Sequence, residues 1–233
     1  MLKAFKIIIV LSLLTLACLQ ATLLTERGAA KTRFVEIEWV EKTIKFEEHI
    51  LELQKIGFEI DPGFKREVSF YTDKNAKDEM NPYFLLFVEL GAEIEEEPWG
   101  RYQSNQAWMF DFETIVQTGD YVRIMNNLTR IAGVQKLFTD LKDSIDWEKR
   151  SVGMSYKFSN RERILKPTFN DDWADTKAVW KMMSDIKSVV KDDREFWVMD
   201  NGQAPVLVFI TSDMAALLNN LSNNLFVKFH PDF

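Results

Sequence analysis

The sequence predicts an α+β fold with mostly antiparallel sheet, and three observations carry that expectation. Val152, Met154, Tyr156 and Phe158 alternate with small or polar residues, the period of a half-buried strand. Val179, Trp180, Met183, Ile186 and Val190 recur at helical spacing behind Asn170-Asp171-Asp172. Two apolar runs, 196–199 and 206–210, flank Asp200-Asn201-Gly202, the strongest hairpin signal in the chain.

The remaining elements follow in order. Val35, Ile37 and Trp39 alternate with Glu36 and Glu38 as a strand would. Ile44, Phe46, Ile50, Leu51 and Leu53 place an amphipathic helix over 43–56, which Gly57 ends. Asp61-Pro62-Gly63 marks a turn. Residues 68–71 read as a strand, and the apolar run 83–90 as a central buried strand closed by Gly91. Glu95, Glu96 and Glu97 with Pro98 and Gly100 form a polar excursion, and the aromatic-rich stretch 107–115 is again strand-like. Val122, Met125 and Leu128 give a helix over 121–132 that stops at Gly133. Leu137, Phe138, Leu141 and Ile145 predict another helix, 211–221 a short one, and 225–229 a last strand.

An internal similarity suggests two strand-helix-strand-strand-helix units packed together, one over 26–146 and one over 147–233. TGDYVRIMNNLT at 118–129 aligns without gaps with TSDMAALLNNLS at 211–222. Val122, Met125 and Leu128 fall on Ala215, Leu218 and Leu221, so the two helices share an apolar face. Chance likeness between two similarly capped helices is the competing explanation. A cleft between two such units is a natural place for a ligand.

The N-terminus carries an address. Lys3 and Lys6 precede an apolar stretch from Ile7 that only Ser12 and Thr15 interrupt, the pattern of an export signal or membrane anchor over 1–21. Ala17-Cys18 suits lipidation of Cys18, although Thr15-Leu16 departs from the usual bacterial lipobox. Cleavage after Ala17 is a second reading. An uncleaved anchor over 7–24, near the roughly 20 residues a span needs, is a third. Each puts the domain beyond the cytoplasmic membrane, in the cell envelope, periplasm or exterior, and leaves the N-terminus as its sole membrane contact.

Composition then narrows the chemistry. Cys18 is the single cysteine, so the mature domain has no disulfide framework, thiol nucleophile or cysteine zinc site. The net charge of -7 argues against nucleic acid and anionic lipid and suits a basic protein partner. Acidity that merely keeps the chain soluble is the plainer alternative. The two histidines, His49 and His230, stand near no G-x-S-x-G serine. Neither a P-loop nor a G-x-G-x-x-G opens a helix. Asn170, Asp171, Asp172 and Asp175 fail the EF-hand spacing, because Asp175 takes the glycine position and no Glu closes the loop. No cofactor and no metal are expected. Asn127 and Asn220 begin glycosylation sequons, which matter only in a eukaryotic secretory protein.

The candidate binding residues are Trp99, Trp108, Asp111, Trp197 and Asp200. Trp99, between Pro98 and Gly100 after an acidic run, is the tryptophan expected at the surface as an interface anchor. Trp108 with Asp111, and Trp197 with Asp200, pair an indole with an acid, as sugar sites do. Ordinary outward charge on an amphipathic strand explains both pairs as well. The functional expectation is an exported, non-catalytic protein that binds another protein, as immunity and inhibitor proteins do. The alternative is a carbohydrate-binding module or a carboxylate-based hydrolase.

Overall fold

Every side chain from Val206 to Ile210 is buried, and the sheet built around them organises the fold. The computed structural model describes residues 46–64 and 81–230, which belong to one unit spanning 44–233. The expected export signal or anchor with Cys18, and the strands expected at 35–39 and 68–71, lie outside the described residues.

The elements run α1 (Phe46–Lys55), α2 (Pro82–Gly91), β1 (Ala107–Met109), α3 (Asp120–Ala132), β2 (Phe138–Asp146), β3 (Ser151–Phe158), β4 (Arg161–Leu165), α4 (Thr176–Val189), β5 (Glu195–Met199), β6 (Val206–Ile210), α5 (Ser212–Ser222) and β7 (Phe226–Lys228). A four-stranded sheet has the order β1-β6-β5-β7, and a three-stranded sheet the order β2-β3-β4. All neighbours are antiparallel, so the fold is α+β as the patterning predicts. Residues 147–150 form the turn between β2 and β3, and the four-stranded sheet joins β1 to strands from the C-terminal part of the chain.

The four-stranded sheet separates two apolar clusters, and β6 divides its side chains between them by the period of two. Val206, Val208 and Ile210 face a cluster with Leu86 and Phe87 of α2 and Leu218 of α5. Leu207 and Phe209 face a larger one with Met125 of α3, Met182 of α4 and Tyr156 of β3. Both faces being covered explains the unbroken apolar run.

Two expected elements are of the other type. Residues 83–90 form helix α2 and not a central strand. Asn81 accepts the Tyr83 N–H at 3.0 Å, Pro82 occupies the first turn, and Leu86, Phe87 and Leu90 are fully buried. A helix apolar on most sides lacks the periodicity that would separate it from a buried strand. Gly91 ends it against β1, where an added Cβ would lie 2.5 Å from the Met109 nitrogen. Residues 138–146 form strand β2 and not a helix. Asp140 has φ 54° and the register shifts between Thr139 and Lys142, a bulge. The extra residue sets Phe138 three positions from Leu141 on the core side, which imitates helical spacing.

The paired helices are α3 and α5, and their ends are built differently. Thr211 caps α5 by accepting the Met214 N–H at 3.1 Å. Thr118 instead accepts the Ile145 N–H at 3.3 Å, and α3 is capped from outside by Asp143 of β2. The side chain of Asn219 bonds both backbone groups of Phe226, whereas its counterpart Asn126 is exposed. An internal repeat is therefore not established by these helices.

Candidate binding site at the Trp99 hairpin

The acidic run 95–97 sits on a small, ordered hairpin. Glu93 bridges to Tyr102, and Ile94 donates to the Arg101 carbonyl at 2.9 Å. Arg101 turns inward and ties the tip together. Its Nε donates to the Pro98 carbonyl at 2.9 Å, and Nη2 to those of Glu97 at 3.1 Å and Glu96 at 3.2 Å. Glu93 accepts the Gly100 N–H at 2.7 Å, and Gly100 itself has φ 82°, a left-handed conformation suited to glycine. With the cationic side chain spent on carbonyls, Glu95, Glu96 and Glu97 and the 62% exposed Trp99 are presented outward.

Behind the hairpin lies a cleft of about 390 Å³ that brings Trp99, Trp108 and Asp111 together. Its polar lining includes Glu93, Thr114, Arg123 and Asn127. Trp108 is only 7% exposed and packs on Phe110 in the larger core. Asp111 accepts the Glu113 N–H at 2.9 Å and the Gln203 side-chain amide at 3.1 Å; that same amide reaches Glu113 at 2.6 Å. Arg123 binds Thr114 and lies 3.6 Å from Asp120.

The other two candidates fall elsewhere. Trp197 lies on the opposite sheet face from Val198, half-buried against the smaller core, and its indole nitrogen is buried without a partner among the described residues. Asp200 is exposed at the β5–β6 turn, where it accepts the Gly202 N–H at 2.8 Å. It borders a second groove, of about 620 Å³, with Phe112, Trp173, Trp180 and Phe229. Helical spacing puts Trp180 on the apolar face of α4, where it is half-buried, and Trp173 belongs to no periodic pattern. The flanking Asp172 and Asp175 hid Trp173 within an acidic, helix-capping segment.

His49 is 3% exposed, with its ring 4.8 Å from that of Tyr83. Burial lowers its pKa, against the raising effect of Glu52 and Glu48. Among the described residues, no grouping of His, Cys, Asp and Glu could hold a metal ion, and no helix is long and apolar enough to cross a membrane. Comparison with family models, curated proteins and solved structures gives no match.

Proposed function

We propose that this chain is an exported, non-catalytic binding protein that engages a basic protein partner through the Trp99 hairpin, as immunity and inhibitor proteins do. Lipidation at Cys18 or an uncleaved anchor would hold it at the membrane. The observation that carries the reading is the Arg101 clamp, which fixes an acidic tip with an exposed tryptophan. A preordered loop loses little conformational entropy on association, and tryptophan is a preferred interface anchor. The glutamates speed encounter with a basic surface, an effect that salt screens.

The test uses the chain as bait for lysate and culture supernatant. The reading expects one stoichiometric basic protein, released by added salt and lost with Trp99→Ala. Unchanged capture by Trp99→Ala overturns the hairpin as the site. Turnover of a substrate by the pure chain overturns the non-catalytic reading.

A second reading, carbohydrate binding, draws on Asp111, Arg123 and Asn127 lining the cleft with Trp99. Tryptophan fluorescence against an oligosaccharide panel separates the two. A saturable shift that Trp99→Ala removes would favour sugar, and a flat response across the panel would eliminate it.

A further inference from the structure

We propose that the groove between α4 and the four-stranded sheet is a binding site for one uncharged, mainly hydrocarbon small molecule. The site is separate from the hairpin and does not rest on the protein-binding reading.

The groove runs along the margin where α4, buried against the sheet through Met182 and Ile186, meets the strands. Its floor is the sheet face carrying Val198 and Leu207, which are register partners, with Phe110 beside them. Its wall is one face of α4, formed by Thr176, Val179, Trp180 and Met183 at the spacing of successive helical turns. Phe229 closes one end, with its ring centre 6.0 Å from that of Trp180. The β5–β6 turn, with Gly202 and Gln203, closes the other. The volume of about 620 Å³ falls in the range of small-ligand pockets, roughly 300–1,000 Å³.

The polar groups at the rim define the occupant. Lys228 borders the groove from β7, but as the register partner of Trp197 its side chain lies on the opposite sheet face, ion-paired with Glu195; Asp200 accepts the Gly202 N–H. Gln203 is engaged by Asp111 and Glu113. The groove therefore offers no cation to an anionic ligand, and a cationic one meets only the water-exposed Asp200. A neutral ligand meets aromatic and aliphatic carbon along the floor and wall without giving up the hydration of a charge.

The full chain is titrated with N-phenyl-1-naphthylamine, a neutral probe whose emission rises in apolar surroundings. The proposal expects saturation at one probe per chain, with energy transfer from tryptophan. Thr176→Arg, which places a charged side chain in the groove, should weaken binding by about tenfold or more, equivalent to about 1.4 kcal/mol. Leu217→Arg, at a 47% exposed apolar residue outside the groove lining, should leave it unchanged. Decanol should displace the probe better than decanoate at equal concentration. Should Thr176→Arg not fold, Val227→Arg replaces it, because Val227 borders the groove and is 61% exposed. Unsaturable binding, equal loss in the groove variant and Leu217→Arg, or equal displacement by decanoate overturns the proposal.

Discussion

The guanidinium of Arg130 sits 3.7 Å above the ring centre of Tyr102. Beneath the hairpin it also donates to the carbonyls of Ser104 at 2.9 Å and Ala107 at 3.1 Å, and to the Asn127 side chain at 3.2 Å. No carboxylate forms an ion pair with it among the described residues. Burial disfavours its charged form, so backbone oxygens and the ring face compensate for lost water. Arg130→Met keeps the apolar stem but orphans both carbonyls, and should cost about 2–4 kcal/mol in urea unfolding. Arg130→Lys should recover only part of that loss, because a compact ammonium cannot reproduce the fork.

Asp185 should govern stability in acid. It is 3% exposed and accepts from Tyr156 at 2.8 Å and from Arg163 at 2.7 and 2.9 Å, with Lys181 at 3.1 Å. Burial alone would raise its pKa, but Arg163, Tyr156 and Lys181 hold it below the usual carboxylate value. A depressed folded-state pKa gives stability that is full above the unfolded value, near 3.9, and is lost as pH falls through the folded one. Asp185→Asn should lower stability at pH 7 by about 3 kcal/mol and flatten the acid limb. Urea midpoints between pH 2 and 7 check both.

Tyr121 sets the opposite limb. Its hydroxyl accepts the Asp175 N–H at 2.9 Å, and the residue is 1% exposed. Burial pushes its pKa up to about 12, with Asp175 and Asp143 adding to the rise and the Asp175 N–H opposing it. A raised folded-state pKa gives stability that is full below the unfolded value, near 10, and is lost as pH climbs towards 12. The expected loss from this residue is roughly 2–3 kcal/mol. Burial also raises Tyr102 and Tyr156, so the whole chain should weaken in alkali. Tyr121→Phe should make the decline shallower.

Asp143 caps a helix that is not its own. From β2 it accepts the N–H groups of Gly119 at 2.7 Å, Tyr121 at 2.9 Å and Val122 at 3.3 Å, at the positive end of α3. Asp143→Ala should cost about 1–2 kcal/mol. Thermal melts compared with Thr211→Ala test whether a cap that links two elements stabilises more than a local one.

Trp99→Ala should separate binding from folding. With 62% of the residue exposed, the substitution should change stability by less than about 0.5 kcal/mol. Partner capture should fall about tenfold or more. A large loss of stability would show instead that the ring covers the core.

Local pattern was a sound guide wherever one periodicity ruled. The β5–β6 hairpin, β3, α4 and α5 all lie where spacing and turn residues place them. It failed where two structures share one pattern, as with the all-apolar α2 and the bulged β2. Strand β4 escaped notice because Arg161-Glu162-Arg163 gives it little apolar alternation. At the candidate site, Trp99 was legible from Pro98, Gly100 and the acidic run. The Arg101 clamp was not, because its acceptors are backbone carbonyls, which carry no sequence signature.

The sequence by itself determined the secondary-structure mixture and the antiparallel hairpin. It also determined the acidic tip that surrounds an exposed tryptophan. These depend on residues within a few positions of one another, where periodicity, turn chemistry and charge act directly. Only the tertiary structure decided that Asp143 caps α3, that Arg130 lies beneath Tyr102, and that Trp108 and Asp111 share the cleft with Trp99. It also decided that residues of α4, β5, β6 and β7 together line the second groove. Such relations join residues distant along the chain. They follow from which buried faces pack together, and a local pattern leaves that choice open.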